Sequence, residues 1–129
     1  AVRSSQHEYI NFITLLVGAS AAGLEVMDHD GGWIEVEGNP EHIIIDSGDM
    51  LQNLTNGLFK AVTHRVINPP DATSDRYSMP MFTHPRDEVD LTPLPEFIAR
   101  TGGEALYPSI SAGEFLRQRL IEIGLIDDD

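Results

Sequence analysis

His7-Glu8-Tyr9-Ile10-Asn11-Phe12-Ile13-Thr14-Leu15-Leu16-Val17 is the stretch whose reading sets the fold class. From Ile10 to Val17 it is crowded with β-branched and large apolar side chains, and it runs out near Gly18. That composition predicts a strand, opened by His7. The segments that follow repeat the pattern. Leu24 to Met27 and Trp33 to Val36 flank Asp28-His29-Asp30-Gly31-Gly32, a hairpin connection in which glycine allows a positive φ. Ile43-Ile44-Ile45 predicts a strand buried on both faces, followed by a turn at Asp46-Ser47-Gly48-Asp49. Asn56-Gly57 signals a hairpin before Leu58 to Ile67, and Pro69-Pro70 opens a loop before a strand from Tyr77 to Phe82. About six strands with short connections indicate a mainly β protein. Patterning alone leaves sandwich, barrel and jelly roll open.

After Pro85 the character changes. Thr92 to Arg100 predicts a short helix stopped by Gly102-Gly103, and Ser111-Ala112-Gly113-Glu114 has the form of a capping box. A helix follows to about Ile123, with Phe115, Leu116, Leu120 and Ile123 on one face and Gly124 as its stop.

The 129 residues amount to one domain, and 41% apolar content supports a globular core. No apolar run reaches the roughly 20 residues a membrane span needs. Cysteine is absent, which excludes disulfides and thiolate metal sites and fits a cytoplasmic location. A net charge of −13 argues against a nucleic-acid partner, and Asp127-Asp128-Asp129 reads as a solvated tail.

Among the five histidines, His29, His42 and His84 sit in or beside turns and read as surface residues. His7 and His64 are different, because two imidazoles on separate strands can face one metal inside a barrel and leave coordination positions open. Arg76-Tyr77-Ser78 lies just downstream. In a strand, Arg76 and Ser78 share a face and can grip one carboxylate.

The order of these segments resembles a known family. Gly23-Leu24-Glu25-Val26, Trp33-Ile34-Glu35-Val36, Gly48-Asp49-Met50-Leu51-Gln52, Thr55-Asn56-Gly57, His64-Arg65-Val66 and Arg76-Tyr77-Ser78 follow the His7 stretch. Together they resemble the isopenicillin N synthase-like branch of the iron(II)/2-oxoglutarate-dependent oxygenases, from about Ser5 to Pro85. The resemblance implies a double-stranded β-helix (jelly roll) with C-terminal helices. Residues 1–85 would form its core, and residues 86–129 a helical extension against it. It further implies that His7 and His64 bind Fe(II) and that Arg76 and Ser78 hold the distal carboxylate of 2-oxoglutarate. The expected reaction oxidises a small organic substrate with release of succinate and CO2, and ascorbate serves as an accessory reductant.

Two departures stand out. The family's first motif is His-x-Asp, and Tyr9 occupies the place of the aspartate. A phenol has a reference pKa of about 10 and binds metal well only once ionised. Three outcomes are open: Tyr9 ligates as a phenolate, Glu8 substitutes although strand alternation turns it away from His7, or the metal site is weakened. The last would make the chain a metal-impaired, non-catalytic binding module. A cupin-like enzyme with another metal is a further alternative. The second departure is length: His7 lies almost at the start, whereas the family's His-x-Asp strand lies mid-chain. The jelly roll is therefore expected to be incomplete at its N-terminus, with an N-terminal segment of the same protein missing from this chain.

Overall fold

In the computed structural model, which describes residues 2–70 and 72–128, the stretch expected to be one strand opening at His7 divides into two. Strand β1 (Val2–His7) ends at the histidine, and β2 (Ile13–Val17) begins beyond a short loop. That loop is held by a helix, α1 (Asp49–Leu54), where sequence patterning indicated only a turn. The first N–H groups of a helix lack intrahelical partners. Here Asp49 N–H and Met50 N–H donate to the carbonyls of Tyr9 (2.8 Å) and Asn11 (3.2 Å), and Gly48 N–H donates to Phe12 (2.9 Å). Glycine is required at 48 by this approach, since a Cβ there would lie well inside contact distance of the Asn11 carbonyl.

Five further strands complete two antiparallel sheets. They are β3 (Leu24–Met27), β4 (Trp33–Glu35), β5 (Ile43–Ser47), β6 (His64–Ile67) and β7 (Met79–Thr83). One sheet has the order β1-β6-β3-β4 and the other β5-β2-β7. The expected β3–β4 hairpin is present, with Met27 opposite Trp33. On its sheet, Arg65 bonds Glu25 at 2.6 Å and stacks over Trp33 at 3.9 Å. In the second sheet Thr14 stands between Asp46 and Phe82, and Leu16 between Ile44 and Pro80. Pro80 is tolerated because β7 is an edge strand and needs no further ladder partner on its open side.

Several expected boundaries are corrected. Leu58 to Ile67 is strand only from His64, and Asn56 and Gly57, both at positive φ, end α1 rather than forming a two-residue hairpin. Arg76 and Ser78 precede β7 instead of lying within a strand. The strand at 43–45 is not buried on both faces: Ile43 is 63% and Ile45 65% exposed, on an outer face that also presents Val17, Met79 and Met81. Strand alternation instead turns Asp46, 8% exposed, to the inside.

The C-terminal part forms α2 (Pro95–Arg100) and α3 (Ala112–Glu122). Ser111 caps α3 by accepting from Glu114 N–H, but Glu114 accepts from Gln118 instead of reaching back. Phe115 and Ala112 of α3 join Met50 of α1 and Leu91 in a buried apolar cluster, while Ile123 lies outside it, 56% exposed. Asn56 ties the same region down: its amide donates to Thr101 Oγ1 (2.6 Å) and the Glu104 carbonyl (2.8 Å), and its oxygen accepts from Leu106 N–H (2.7 Å). No helix among the described residues is long and apolar enough to cross a membrane.

Candidate functional site

The inner faces of the two sheets line an open cavity of about 330 Å³. Strand β6 supplies His64 to its wall, and β1 supplies His7; the two residues are register partners. Their ring centroids are 4.3 Å apart with planes tilted by 58°. His7 is exposed at the rim, whereas His64 is 3% exposed.

Each ring is oriented by a backbone carbonyl two residues before it. His64 Nδ1 lies 2.9 Å from the Val62 oxygen, and His7 Nδ1 lies 2.7 Å from the Ser5 oxygen. A carbonyl can only accept, so each ring donates through Nδ1, which leaves Nε2 as the nitrogen available to a ligand. His64 Nε2 is buried with no hydrogen-bond partner. Burial is also the main cause holding the His64 pKa below its ordinary value, opposed by the Val62 bond. A buried, neutral imidazole with a fixed tautomer and an idle lone pair is the state a metal ligand requires. His64 is in that state, and His7, 4.3 Å from it with Nδ1 held in the same way, completes a pair that fits a transition-metal ion.

The third protein position does not supply a carboxylate. Among the described residues no three His, Cys, Asp or Glu side chains gather closely enough to hold a metal. Glu8 faces away, accepting a hydrogen bond from Thr63 Oγ1. Tyr9 is turned inward, its ring 4.2 Å from His64 and 5.1 Å from Phe82, centroid to centroid. Burial pushes its phenol pKa up and the Asp46 carboxylate adds to this, while Arg76 pulls it back. Without a bound cation Tyr9 is a neutral phenol.

Arg76 and Ser78 line the same cavity although they lie outside any strand. Arg76 Nε donates to the Ala21 carbonyl at 3.1 Å, which aims the guanidinium and leaves its terminal nitrogens available. His29, His42 and His84 are exposed, as their turn positions predicted. Two inward residues escaped sequence reading. Arg3 on β1 lines the cavity, with no local motif to signal it. Asp46 is signalled only by alternation, as a polar residue opposite in face to Ile43 and Ile45.

Two facing antiparallel sheets with imidazoles turned to the interior define a jelly-roll protein. The chain belongs to the 2OG-Fe(II) oxygenase superfamily, whose family model matches residues 1–85. It is 32% identical over 113 residues to feruloyl CoA ortho-hydroxylase 1 of Arabidopsis thaliana, covering 87% of this chain and 30% of that protein. It is 36% identical over 110 residues to gibberellin 2-beta-dioxygenase of Phaseolus coccineus, covering 85% of this chain and 32% of that protein. A full-length Neurospora crassa protein solved in complex with alpha-KG superposes with a TM-score of 0.83 at 31% identity, over 95% of this chain and 38% of its own. The chain thus spans about a third of the length of the curated relatives it matches.

Proposed function

We propose that the protein is an Fe(II)- and 2-oxoglutarate-dependent oxygenase that oxidises a small organic substrate. The observation that carries this reading is the pair of carbonyl-oriented imidazoles with Nε2 available to a ligand, beside a cavity that also holds Arg76 and Ser78. His7 and His64 would hold the iron, with Tyr9 as the third protein ligand. Arg76 and Ser78 would take the distal carboxylate of the keto acid. Iron, when bound, supplies the redox chemistry that couples keto-acid decarboxylation to substrate oxidation. The protein's own residues orient the co-substrate, and Leu16, Leu24, Val66 and Phe82 give the cavity apolar walls.

The curated relatives are named as a hydroxylase and a dioxygenase, which favours catalysis over the non-catalytic binding module that Tyr9 alone suggested. Residues 86–129 act as an extension of the core, a reading supported by the shared Met50–Phe115 cluster. The absence of cysteine supports a cytoplasmic setting. The test is succinate formation by the full-length protein with Fe(II), ascorbate and 2-oxoglutarate. Production of succinate that Arg76→Ala abolishes is the expected result; no succinate under any metal load contradicts the proposal.

A further inference from the structure

The cavity's charge is opposite to that of the chain. The sequence has 21 acidic and 8 basic residues, yet the permanently charged residues that line the cavity are Arg3 and Arg76, with no carboxylate residue beside them. Among the described residues, Arg65, Arg86, Arg117 and Arg119 each pair with an Asp or Glu. The two arginines that face the cavity are anchored differently. Arg3 donates from Nε to Asn68 Oδ1 (2.8 Å) and from Nη2 to the Ser74 carbonyl (3.2 Å), and Arg76 donates to the Ala21 carbonyl (3.1 Å). All these acceptors are neutral. They fix the direction of each guanidinium without cancelling its charge.

Sheet register places both at one end of the cavity. On β1 and β6, His7 pairs with His64 at one end and Val2 pairs with Ile67 at the other, where Arg3 sits. On β2 and β7, Ile13 pairs with Thr83 and Val17 with Met79, so Arg76 and Ser78 continue past the end marked by Met79. The Arg3 hydrogen bond to Ser74, close in sequence to Arg76, brings these ends together. The two guanidiniums are near enough that Arg3 contributes to lowering the Arg76 pKa, after burial. Two like charges facing one cavity without a carboxylate in its lining are unfavourable unless an anion joins them.

We propose that Arg3 is a second guanidinium on the distal carboxylate of the keto acid, a positioning residue that works with Arg76 and Ser78. This rests on the keto-acid reading given above. A carboxylate shared by two guanidiniums receives charge-assisted hydrogen bonds from two directions, which fixes its rotation as well as its position. The consequence is strong selection for a 2-oxo dicarboxylate over a 2-oxo monocarboxylate of similar length.

The test is calorimetric titration of 2-oxoglutarate and of 2-oxovalerate into the full-length protein loaded with Mn(II), which reads binding without turnover. Arg3→Gln, which keeps donors and removes the charge, should weaken 2-oxoglutarate about tenfold, the effect of one charge-assisted bond. It should leave the already weak 2-oxovalerate unchanged, and Arg3→Lys should recover part of the loss. An Arg3→Gln protein that binds 2-oxoglutarate as the wild type does, while Arg76→Ala loses it, overturns the role of Arg3 alone. Failure of the wild type to bind 2-oxoglutarate at all overturns the keto-acid reading, and this inference with it.

Discussion

His64 donates from Nδ1 to the Val62 carbonyl at 2.9 Å, and this single bond decides which nitrogen of the ring faces the cavity. His7 is set in the same way by Ser5. Because the two rings lie 4.3 Å apart, centroid to centroid, each with Nδ1 tied to a carbonyl, removal of either ring should lower Fe(II) affinity by more than about 100-fold, beyond the ~10–100-fold that loss of an outer hydrogen-bond partner costs. The double variant His7→Ala/His64→Ala should bind scarcely less than either single one, as expected for residues acting as a unit. Anaerobic metal titration of the three variants measures this.

Tyr9 is the residue most open to direct test. As the third ligand it should give iron(III)-loaded protein a phenolate charge-transfer band in the visible spectrum. Tyr9→Phe should abolish the band and weaken metal binding. Tyr9→Asp should also abolish the band but raise Fe(II) affinity about tenfold or more, since a carboxylate is ionised at neutral pH and needs no proton removed from a buried phenol. A band that survives Tyr9→Phe contradicts the assignment.

His64 also makes stability depend on pH. Its folded pKa is depressed by burial, so in mildly acid solution the unfolded chain binds a proton that the folded chain does not. Stability from this residue is full above the unfolded value of about 6.5 and is lost as pH falls below it, at up to about 1.4 kcal/mol per pH unit. Denaturation midpoints measured from pH 7.5 downward should show this fall, and His64→Asn should flatten it.

Gly48 links the helix start to the site. A Cβ at this position collides with the Asn11 carbonyl, in the loop that carries Tyr9. Gly48→Ala should therefore cost about 1–3 kcal/mol, the range for overpacking a close contact. It should also weaken metal binding by shifting residues 8–12. Urea denaturation and metal titration of the same protein test both effects.

Asn56 offers a stability prediction away from the cavity. It is 1% exposed, holds φ at 51°, and satisfies Leu106 N–H and the Glu104 carbonyl. Asn56→Ala should cost about 3 kcal/mol, combining unpaired buried polar groups with a strained left-handed backbone. Asn56→Gly removes the backbone strain and should cost roughly 1 kcal/mol less. Chemical denaturation of the pair separates the two contributions.

Legibility of the fold varied with how local its causes are. The β3–β4 hairpin and the Ser111 cap were visible because turn residues and a side-chain oxygen act within a few positions. Helix α1 was not visible. Six residues are too few to show a helical period, and they are held by long-range bonds to Tyr9 and Asn11 and by burial of Met50 and Asn53. The exposure of Ile43 and Ile45 was missed for a related reason, since an all-isoleucine run does not show which face is covered. At the site, His7, Tyr9, His64, Arg76 and Ser78 were picked out by motif order, and they line one cavity. Arg3 was missed because its importance arises only when the β1 end meets the loop before Arg76.

The outer face of the β5-β2-β7 sheet has a practical consequence. Val17, Ile43, Ile45, Met79 and Met81 stand open to water side by side there, a greasy plane of the kind monomers seldom leave bare. Residues 1–129 purified by themselves should stick to one another, and sulfate salts should make them precipitate sooner. Hydrophilic replacements at those outward positions would improve handling of the protein while leaving the inward row of Ile44, Asp46 and Leu16 intact.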